Sequence, residues 1–588
     1  MGRLLATDFL PTTKKEVELK GYDELDIILF TGDSYVDHPS FGVAVIGRIL
    51  EKAGYRVAIV PQPSWRDDLR DFKKLGKPRL YFGVTSGNMD SMVNHYTAAK
   101  RLRSDDAYTA GGKAGMRPDY AVSVYSRILK DLYPDTPIVI GGIEASLRRL
   151  THYDYWSDGL MKSILIDSKA DILSYGMGDK SMLEITRALE NGYDKDSISK
   201  INQIAYKATK SEVEKFEKED TIFLNSFEKC LKDKKALGDN FVHIETESNK
   251  VNAKRIVEQS GGEYVVVNKP NPYLTTEELD ATYDLGFTRK PHVKYLKRGQ
   301  ISAYEMIKYS VNMHRGCFGG CSFCTISAHQ GKFISSRSER SILDEVKQLT
   351  LDEDFKGYLS DIGGPSANMY NMGGKDTNLC AKCSRPSCIF PKVCKNLDND
   401  HKPLLNLYDK IEKIEGIKKA FIGSGIRYDM IDDKNYYSYL ERVIERHTSG
   451  RLKVAPEHTE DEVLKMMRKP PFDLFRKLNA DFLSICAKKG LKYQLIPYFI
   501  SSHPKCEFRD MQELHKKMKG LNFNLEQVQD FTPTPLTLSS VIYYTGVNPY
   551  TNEKVFVERD MERKKAQKGQ FFDGRMREKR NFRYGKKK

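Results

Sequence analysis

The stretch that decides the fold is the octapeptide Cys317-Phe-Gly-Gly-Cys-Ser-Phe-Cys324, in which three and then two residues separate the cysteines. Three thiolates in so short a loop favour soft metals and iron-sulfur clusters. Structural zinc normally takes four protein ligands, and no fourth cysteine lies nearby, although His314 and His329 could complete such a shell. A [4Fe-4S] cluster on three protein ligands is the better interpretation, since its fourth iron would be free to bind a substrate or cosubstrate.

The octapeptide follows a predicted strand, in a segment where short apolar runs alternate with helical patterns. The strands predicted between about residues 300 and 545 are 309–313, 357–362, 420–423, 452–455, 493–499 and 525–530. Six strands with intervening helices predict an open, partial barrel of βα units. In such barrels the chemistry lies in the loops after the strands, which is where the three cysteines stand.

An amino-terminal domain is predicted over residues 1–195. Its apolar runs alternate with helical patterns, which indicates a parallel sheet with crossover helices. Gly141 and Gly142 end one strand, at the edge where open sheets bind ligands; a core-packing turn is the other interpretation of this pair. Residues 196–300 are rich in Lys and Glu and weaker in apolar periodicity, so they are predicted to be a linking segment with a helix or two.

Several motifs resemble those of radical S-adenosylmethionine (SAM) enzymes, and in particular those of the YgiQ-type radical SAM proteins. They are His314-Arg-Gly-Cys-Phe-Gly-Gly-Cys-Ser-Phe-Cys324, Gly32-Asp-Ser-Tyr-Val-Asp-His-Pro-Ser-Phe-Gly42, Gly141-Gly-Ile-Glu-Ala-Ser146, Ser424-Gly-Ile-Arg-Tyr-Asp429 and Val454-Ala-Pro-Glu-His458. The resemblance covers about residues 20–555. It implies an α/β protein with a Rossmann-like, cobalamin-binding-like parallel sheet, followed by a radical SAM partial (β/α)6 TIM barrel over residues 301–550.

The resemblance also implies how the site works. It implies a [4Fe-4S] cluster on Cys317, Cys321 and Cys324, S-adenosylmethionine as cosubstrate, and an electron donor such as flavodoxin or ferredoxin. Phe323 would offer an apolar face for stacking a base. The family supplies no substrate, and no catalytic residue is assigned.

Further cosubstrate contacts are expected in the loops after the second and third strands. Gly363 and Gly364 stand where superfamily members carry a Gly-Gly-Glu-like turn that contacts the methionine amino group. Here Pro365 replaces the acid, so backbone carbonyls would accept from the ammonium, and a structural turn is the alternative. Ser424 and Arg427 are expected to hold the carboxylate or ribose of SAM, with a surface ion pair as the alternative.

Two residues after the fourth strand are further candidates. Glu457 and His458 are expected to face the same mouth of the barrel, where they would contact the ribose or transfer a proton. A solvated loop is the alternative interpretation.

A second cysteine set, Cys380, Cys383, Cys388 and Cys394, lies in an insertion at about residues 376–400. Cytosolic cysteines that crowd together favour metal binding over disulfides. Four thiolates in so short a segment can close a tetrahedral shell without long-range help. The pattern predicts one metal centre, and structural zinc and an auxiliary iron-sulfur cluster both fit it.

Cobalamin is predicted to be unlikely. Domains of this kind that ligate cobalt through histidine usually show Asp-x-His-x-x-Gly, whereas here Asp37 and His38 are adjacent. The prediction is therefore a cofactor-free sheet that shapes the access of the substrate.

The formal charge of the 588-residue chain, +15, is concentrated at its carboxyl end. Residues 563–588 hold 12 Lys or Arg and 2 Asp or Glu, and 83 basic and 78 acidic residues remain without them. Residues 551–588 are predicted to be a disordered basic tail that binds RNA weakly, with a merely solubilising role as the alternative. Since no apolar run approaches the ~18 residues of a membrane span and no secretion signal is seen, we expect a cytoplasmic protein without membrane contact.

The sequence favours a radical SAM enzyme of unknown substrate. Two alternatives stay open: an RNA methyl or methylthio transferase, suggested by the basic tail and the second cysteine set, and a non-catalytic, metal-stabilised RNA-binding protein. Reductive cleavage of SAM separates both enzymes from the binding protein.

Overall fold

The computed structural model describes residues 4–192, 194–431, 435–523, 525 and 527–571. Its strands are β1 (Ile27–Thr31), β2 (Val57–Pro61), β3 (Tyr81–Thr85), β4 (Ile138–Ile140), β5 (His152–Asp154), β6 (Gly159–Met161), β7 (Ile172–Ser174), β8 (Ile204–Ala208), β9 (Thr221–Phe223), β10 (Arg255–Ser260), β11 (Glu263–Val267), β12 (Ser310–Asn312), β13 (His314–Arg315), β14 (Ser335–Ser336), β15 (Tyr358–Leu359), β16 (Asp361–Gly363), β17 (Gly373–Gly374), β18 (Leu397–Asp398), β19 (Lys419–Ala420), β20 (Arg451–Glu457), β21 (Gln494–Ser501) and β22 (Gln527–Asp530).

Helices connect these strands. They are α1 (Lys14–Leu19), α2 (Gly42–Lys52), α3 (Arg70–Lys73), α4 (Ser91–His95), α5 (Ala121–Leu132), α6 (Gly142–Leu147), α7 (Ile164–Asp167), α8 (Asp179–Glu190), α9 (Lys195–Ser199), α10 (Lys210–Val213), α11 (Phe227–Lys232), α12 (Lys234–Ser248), α13 (Thr276–Tyr283), α14 (Ser302–Ile307), α15 (Ile326–Gln330), α16 (Glu339–Thr350), α17 (Thr377–Lys382), α18 (Lys402–Glu412), α19 (Tyr436–His447), α20 (Asp461–Met466), α21 (Phe472–Lys489), α22 (Phe508–Gly520), α23 (Leu538–Thr545) and α24 (Met561–Gly569). No helix among the described residues has the length and apolar character needed to cross a lipid bilayer.

The largest sheet of the described residues joins nine strands in the order β2-β1-β3-β4-β7-β8-β11-β10-β9. Its first five strands run parallel, with α2 and α5 in the crossovers between them. Every residue of β1 and β2 is buried, as expected where helices cover both faces of a parallel sheet. The large parallel sheet predicted for the amino-terminal half is therefore confirmed.

The sheet continues through residues 196–300, where the sequence predicts only a linking segment. β8 and β11 extend it by antiparallel pairing, and β9 and β10 close its far edge as a parallel pair. The helices of this segment, α10, α11 and α12, contain several Lys and Glu residues. Because these helices are polar and the strands between them are short, a search for apolar periodicity does not detect the strands.

Parallel pairing also governs the carboxy-terminal half. β12 pairs with β16, β15 pairs with β19, and β20, β21 and β22 form a parallel sheet. Each of the six predicted strands overlaps an observed strand. The helices between them bury their apolar sides in one large cluster, which is the packing expected of βα units.

The carboxyl end of the described chain is folded, in contrast to the predicted tail. In α24, Lys564 and Gln567 are buried. Lys564 Nζ donates to Tyr543 Oη at 2.8 Å, and Gln567 Oε1 accepts from the Ser502 N–H at 3.0 Å. The count of basic residues suggested a disordered tail. A lysine can nevertheless bury its long aliphatic stem while its ammonium group forms hydrogen bonds. Residues 572–588 of the predicted tail lie outside the described residues.

Candidate functional site

The three-cysteine loop, residues 317–324, is shaped by the polypeptide itself. It follows β13, which pairs antiparallel with β14. The Cys317 N–H donates to the Gly331 carbonyl at 3.1 Å. Gly320 has φ of +60°, and a Cβ there would overlap the carbonyl oxygen of Pro386, so the turn between two of the cysteines requires glycine.

The thiols of this loop suit an iron-sulfur cluster. Cys317 is buried, and Cys321 and Cys324 are half-buried. Burial and the neighbouring thiols raise the pKa of Cys324 to about 12, and burial raises the pKa of Cys317. Such thiols ionise when a bound metal displaces the proton. Within the part of the chain that the structure describes, no three His, Cys, Asp or Glu side chains converge on one ion position; the thiolates of a cubane bind different iron atoms.

Arg427 lies beside the sulfur of the middle cysteine. Its Nη1 is 3.3 Å from Cys321 Sγ. Its Nε and Nη2 donate to the two carboxylate oxygens of Asp429, at 2.9 and 2.5 Å. Their side chains are only 11% and 9% exposed, so Arg427 is not a surface ion pair. It places a positive charge where ionised thiolates would need one, and any SAM carboxylate would share its guanidinium with Asp429.

Asp361, the first residue of β16, binds the loop after β19. Its carboxylate accepts from the Gly423 N–H at 2.8 Å, the Ser424 N–H at 3.1 Å and the Ser424 hydroxyl. A Cβ on Gly363 would lie 3.0 Å from Ser424 Oγ. The structure therefore places the predicted cosubstrate residues Gly363 and Ser424 side by side. Asp361 is the first residue of the sequence Asp361-Ile-Gly-Gly-Pro365, and the sequence alone predicts no role for it.

His314 packs against the second glycine of that turn. A Cβ on Gly364 would overlap the His314 ring, so glycine permits this approach. His314 is buried, burial lowers its pKa to about 3, and neither ring nitrogen has a partner among the described residues. A buried neutral imidazole without partners carries a cost that a bound ligand would remove.

The candidates after β20 point to different surroundings. Glu457 has φ of +70° and lies 3.9 Å from Lys469 Nζ, and burial raises the pKa of its carboxyl. His458 is buried, with Nε2 3.5 Å from Cys506 Sγ in the core. Neither residue lies in a solvated loop, and only Glu457 interacts electrostatically with Arg427.

Phe323 is half-buried and packs against a histidine. Its ring meets the His503 ring edge to face, with 6.0 Å between centroids. A base would therefore have to stack on the part of the Phe323 ring that His503 leaves open.

The second cysteine set lies directly against the first. The Cys388 N–H donates at 3.0 Å to the Phe318 carbonyl, inside the octapeptide. Cys380, Cys383 and Cys394 all lie close enough to influence the Cys388 thiol, whose pKa burial raises to about 11. Of the four predicted ligands, Cys380 lies in α17 and the other three follow it, and within the described residues no three of their thiols converge on one ion position. This segment supports the three-cysteine loop.

We expect a variant in which these four cysteines are serines to lose one metal centre. Because the loop also supports the octapeptide, iron loading of the first site should fall as well. Anaerobic metal analysis of iron and zinc measures both effects, with Cys486→Ser, a change in the core, as the matched control. Equal metal contents in the parent and the four-serine variant would contradict a second centre.

A cavity of about 520 Å³ lies between the two halves. The carboxyl ends of β3 and β4 contribute Thr85, Gly141 and Gly142, and the other wall contains His314 and Gly364. Open parallel sheets bind ligands at this edge. The Gly141-Gly142 pair therefore borders a cavity in addition to packing the turn.

Two family models match the chain. The Radical SAM N-terminal model matches residues 9–310, and a model of a domain of unknown function matches residues 526–584. A UPF0313 protein of Bacteroides thetaiotaomicron is 57% identical over 595 residues, covering 98% of this chain and 96% of the relative. A UPF0313 protein of Methanocella arvoryzae is 45% identical over 553 residues, covering 94% and 91%.

Solved structures similar to this chain include two radical SAM enzymes. One is the methyltransferase TsrM of Kitasatospora setae with cobalamin and a [4Fe-4S] cluster bound, with a TM-score of 0.49 and 14% identity, covering 88% of this chain and 78% of that chain. The other is the cobalamin-dependent enzyme OxsB with aqua-cobalamin bound, with a TM-score of 0.47 and 11% identity, covering 89% and 56%.

The prediction that cobalamin is unlikely is wrong, because both of these structures contain it. The missing Asp-x-His-x-x-Gly pattern excludes only one mode of binding, in which histidine ligates cobalt. Asp37 and His38 are engaged elsewhere: Asp37 pairs with Arg48 at 2.6 Å, and His38 Nε2 lies 2.9 Å from Arg289 Nη2. Their spacing therefore carries no information about the cavity.

The resemblance drawn from the motifs is confirmed by these comparisons. The amino-terminal model covers the nine-stranded sheet and ends at the first residue of β12, and the relatives match nearly the whole chain. The chain therefore belongs to the UPF0313 family, the YgiQ-type members of the radical SAM superfamily.

Proposed function

We propose that the chain binds a [4Fe-4S] cluster through Cys317, Cys321 and Cys324 and cleaves SAM reductively to start radical chemistry on a substrate. The observation that carries the proposal is the buried three-cysteine loop with Arg427 at the Cys321 sulfur. His314 directly before the loop lines the cavity of about 520 Å³, so the substrate would lie next to the cluster.

The residues of the site would bind and orient SAM and would exclude water from the site. When bound, the cluster supplies one electron to SAM, which releases methionine and a 5'-deoxyadenosyl radical. The carbonyls of Gly363 and Gly364 would accept from the methionine ammonium, and Asp361 holds the neighbouring Ser424 hydroxyl in a fixed orientation. Arg427 offsets the negative charge of the thiolates, and Asp429 fixes its guanidinium.

The proposal includes two further elements from the sequence. The parallel strands of the carboxy-terminal half would close into the partial barrel, which their shared core cluster supports. A small electron-transfer protein such as flavodoxin or ferredoxin would reduce the cluster.

The test is product analysis on anaerobically reconstituted protein with a chemical reductant. We expect slow formation of 5'-deoxyadenosine and methionine even without substrate. Formation of S-adenosylhomocysteine instead would favour methyl transfer. Absence of any SAM-derived product from protein that contains the cluster would favour the non-catalytic alternative.

The basic residues 572–588 form the part of the predicted tail beyond α24, with eight Lys or Arg and two Asp or Glu. We propose that they bind RNA weakly, so removing them should lower RNA retention and flatten its dependence on salt. Truncation after Phe571 is the appropriate variant, because α24 is packed in the fold. Unchanged retention and an unchanged salt slope would support the solubilising role instead.

A further inference from the structure

A second cavity, of about 140 Å³, adjoins the larger one. The two share wall residues Gly176, Met177, Arg315, His329 and Gln330. The smaller cavity is below the ~300 Å³ of a typical small-molecule site. It therefore suits one functional group of a molecule whose remainder occupies the larger cavity.

The wall of this smaller cavity is strongly cationic. It contains the basic residues Arg149, Lys180, Lys250, Lys254, Arg315 and Lys332. The single acidic residue in the described part of its lining is Glu247, which pairs with Lys250 at 2.6 Å. Arg315 and Lys180 are also paired, with Asp179 and Glu278. Among the described residues, the unpaired charge of the wall therefore lies on Arg149, Lys254 and Lys332. A concave surface of one charge sign concentrates ligands of the opposite sign.

Arg149 is the buried cation of this wall. It is 3% exposed. Its Nη1 donates to the Ser146 carbonyl at 2.7 Å and its Nη2 to Ser248 Oγ at 3.3 Å. Its guanidinium lies 4.7 Å from the centre of the Tyr175 ring, and among the described residues its Nε has no partner and no carboxylate pairs with it. Burial lowers its pKa, as expected for a cation without a counter-charge.

A buried arginine without an acid is costly to a fold, and a bound oxyanion would compensate it. Its planar, forked donors match the oxygens of phosphate and carboxylate. His329 lies in both cavities, and its buried Nδ1 also has no partner within the described chain. Of these two residues, Arg149 lines the smaller cavity and His329 lines both.

We propose that this cavity is the anchor for an oxyanion group, phosphate or carboxylate, of the substrate, and that Arg149 is its positioning residue. Only the identification of this ligand as the radical substrate rests on the proposed function. With the oxyanion at Arg149, the rest of the molecule would extend past His329 into the cavity bordered by His314 and Gly364.

The test is binding of inorganic phosphate to reconstituted protein in phosphate-free buffer, with citrate as a separate carboxylate arm. We expect saturable binding that raises the thermal midpoint of the parent protein. Arg149→Gln should weaken binding at least about ten-fold, the loss of a hydrogen bond to a charged group. Arg127→Gln is the matched control, because Arg127 is exposed and paired with Asp167, and its affinity should equal that of the parent.

A second readout separates a binding role from a merely structural one. Without phosphate, Arg149→Gln should melt at or above the parent temperature, since it removes an uncompensated buried charge. Lys254→Met, a change at an exposed wall residue, should lower phosphate affinity about two- to five-fold with an unchanged melting temperature. This variant decides the matter if Arg149→Gln does not fold.

Equal phosphate affinity in the parent, Arg149→Gln and Lys254→Met would overturn the inference. The same preparation is assayed for 5'-deoxyadenosine, so the two proposals fail separately. Cleavage without Arg149-dependent phosphate binding removes the oxyanion site alone. Arg149-dependent binding without cleavage removes the radical chemistry and leaves the oxyanion site. Binding of citrate but not phosphate assigns the group as a carboxylate.

Discussion

Replacement of Cys317, Cys321 and Cys324 together by alanine is expected to abolish both cluster binding and formation of 5'-deoxyadenosine. The loop offers three thiolates, and the variant removes all of them. A missing soft ligand cannot be replaced by the hard oxygens nearby. The visible spectrum and iron content report the cluster, and product formation from SAM reports cleavage.

The fold should survive this replacement, because backbone contacts and glycine conformations shape the loop. Circular dichroism and thermal midpoints of the cluster-free parent and the variant should therefore agree closely. Cys230→Ala, which removes a buried thiol in the amino-terminal half, is the control and should keep both cluster and cleavage. Product formation at the parental rate by the triple variant would show that the radical assignment is wrong.

Arg427→Met is expected to lower the free energy of unfolding by about 3–5 kcal/mol, since it leaves the buried Asp429 carboxylate without its cation. Although burial alone would raise the pKa of Asp429, the Arg427 guanidinium lowers it. SAM binding should weaken by about 10- to 150-fold, the equivalent of one charged hydrogen bond. Denaturation of the cluster-free protein and equilibrium binding of SAM measure the two effects.

A double substitution separates the effect of the unpaired Asp429 charge from the effect of the changed side-chain shape at Arg427. Arg427→Met with Asp429→Asn leaves no unpaired charge, so it should recover most of the lost stability but none of the SAM affinity. Arg446→Met removes a half-exposed arginine paired with Glu412 and should cost less than about 1 kcal/mol. A stability loss of that small size at Arg427 would contradict the structural pairing with Asp429.

The sequence was most informative where one local signal was sufficient. The cysteine spacing located the site, and apolar runs located the parallel strands of the carboxy-terminal half, because both signals lie within a few neighbouring residues. The two-residue strands β13, β14, β17 and β18 were not predicted. Residues 204–267 were missed as part of the sheet, since polar helices separate their short strands. The prediction of a disordered tail from residue 551 onward also failed for α24, because a count of charged residues does not reveal that Lys564 is buried.

The partners inside the site depended on contacts that no local pattern encodes. Asp361 and Ser424 are 63 positions apart, and Arg427 and Cys321 are 106 apart. In the sequence, Arg149 is the second of two consecutive arginines in a helical region. Only the fold shows that it is buried and has no carboxylate partner among the described residues. Such pairings require the tertiary structure.

Helix α24 is the last element of the described chain to be synthesised. Its Lys564 reaches Tyr155 in the amino-terminal half, with 3.4 Å between Nζ and Oη. A ribosome adding about 5–20 residues per second needs roughly 13–50 s to proceed from position 310 to position 571. During that interval the nascent amino-terminal sheet lacks the contact between Tyr155 and Lys564.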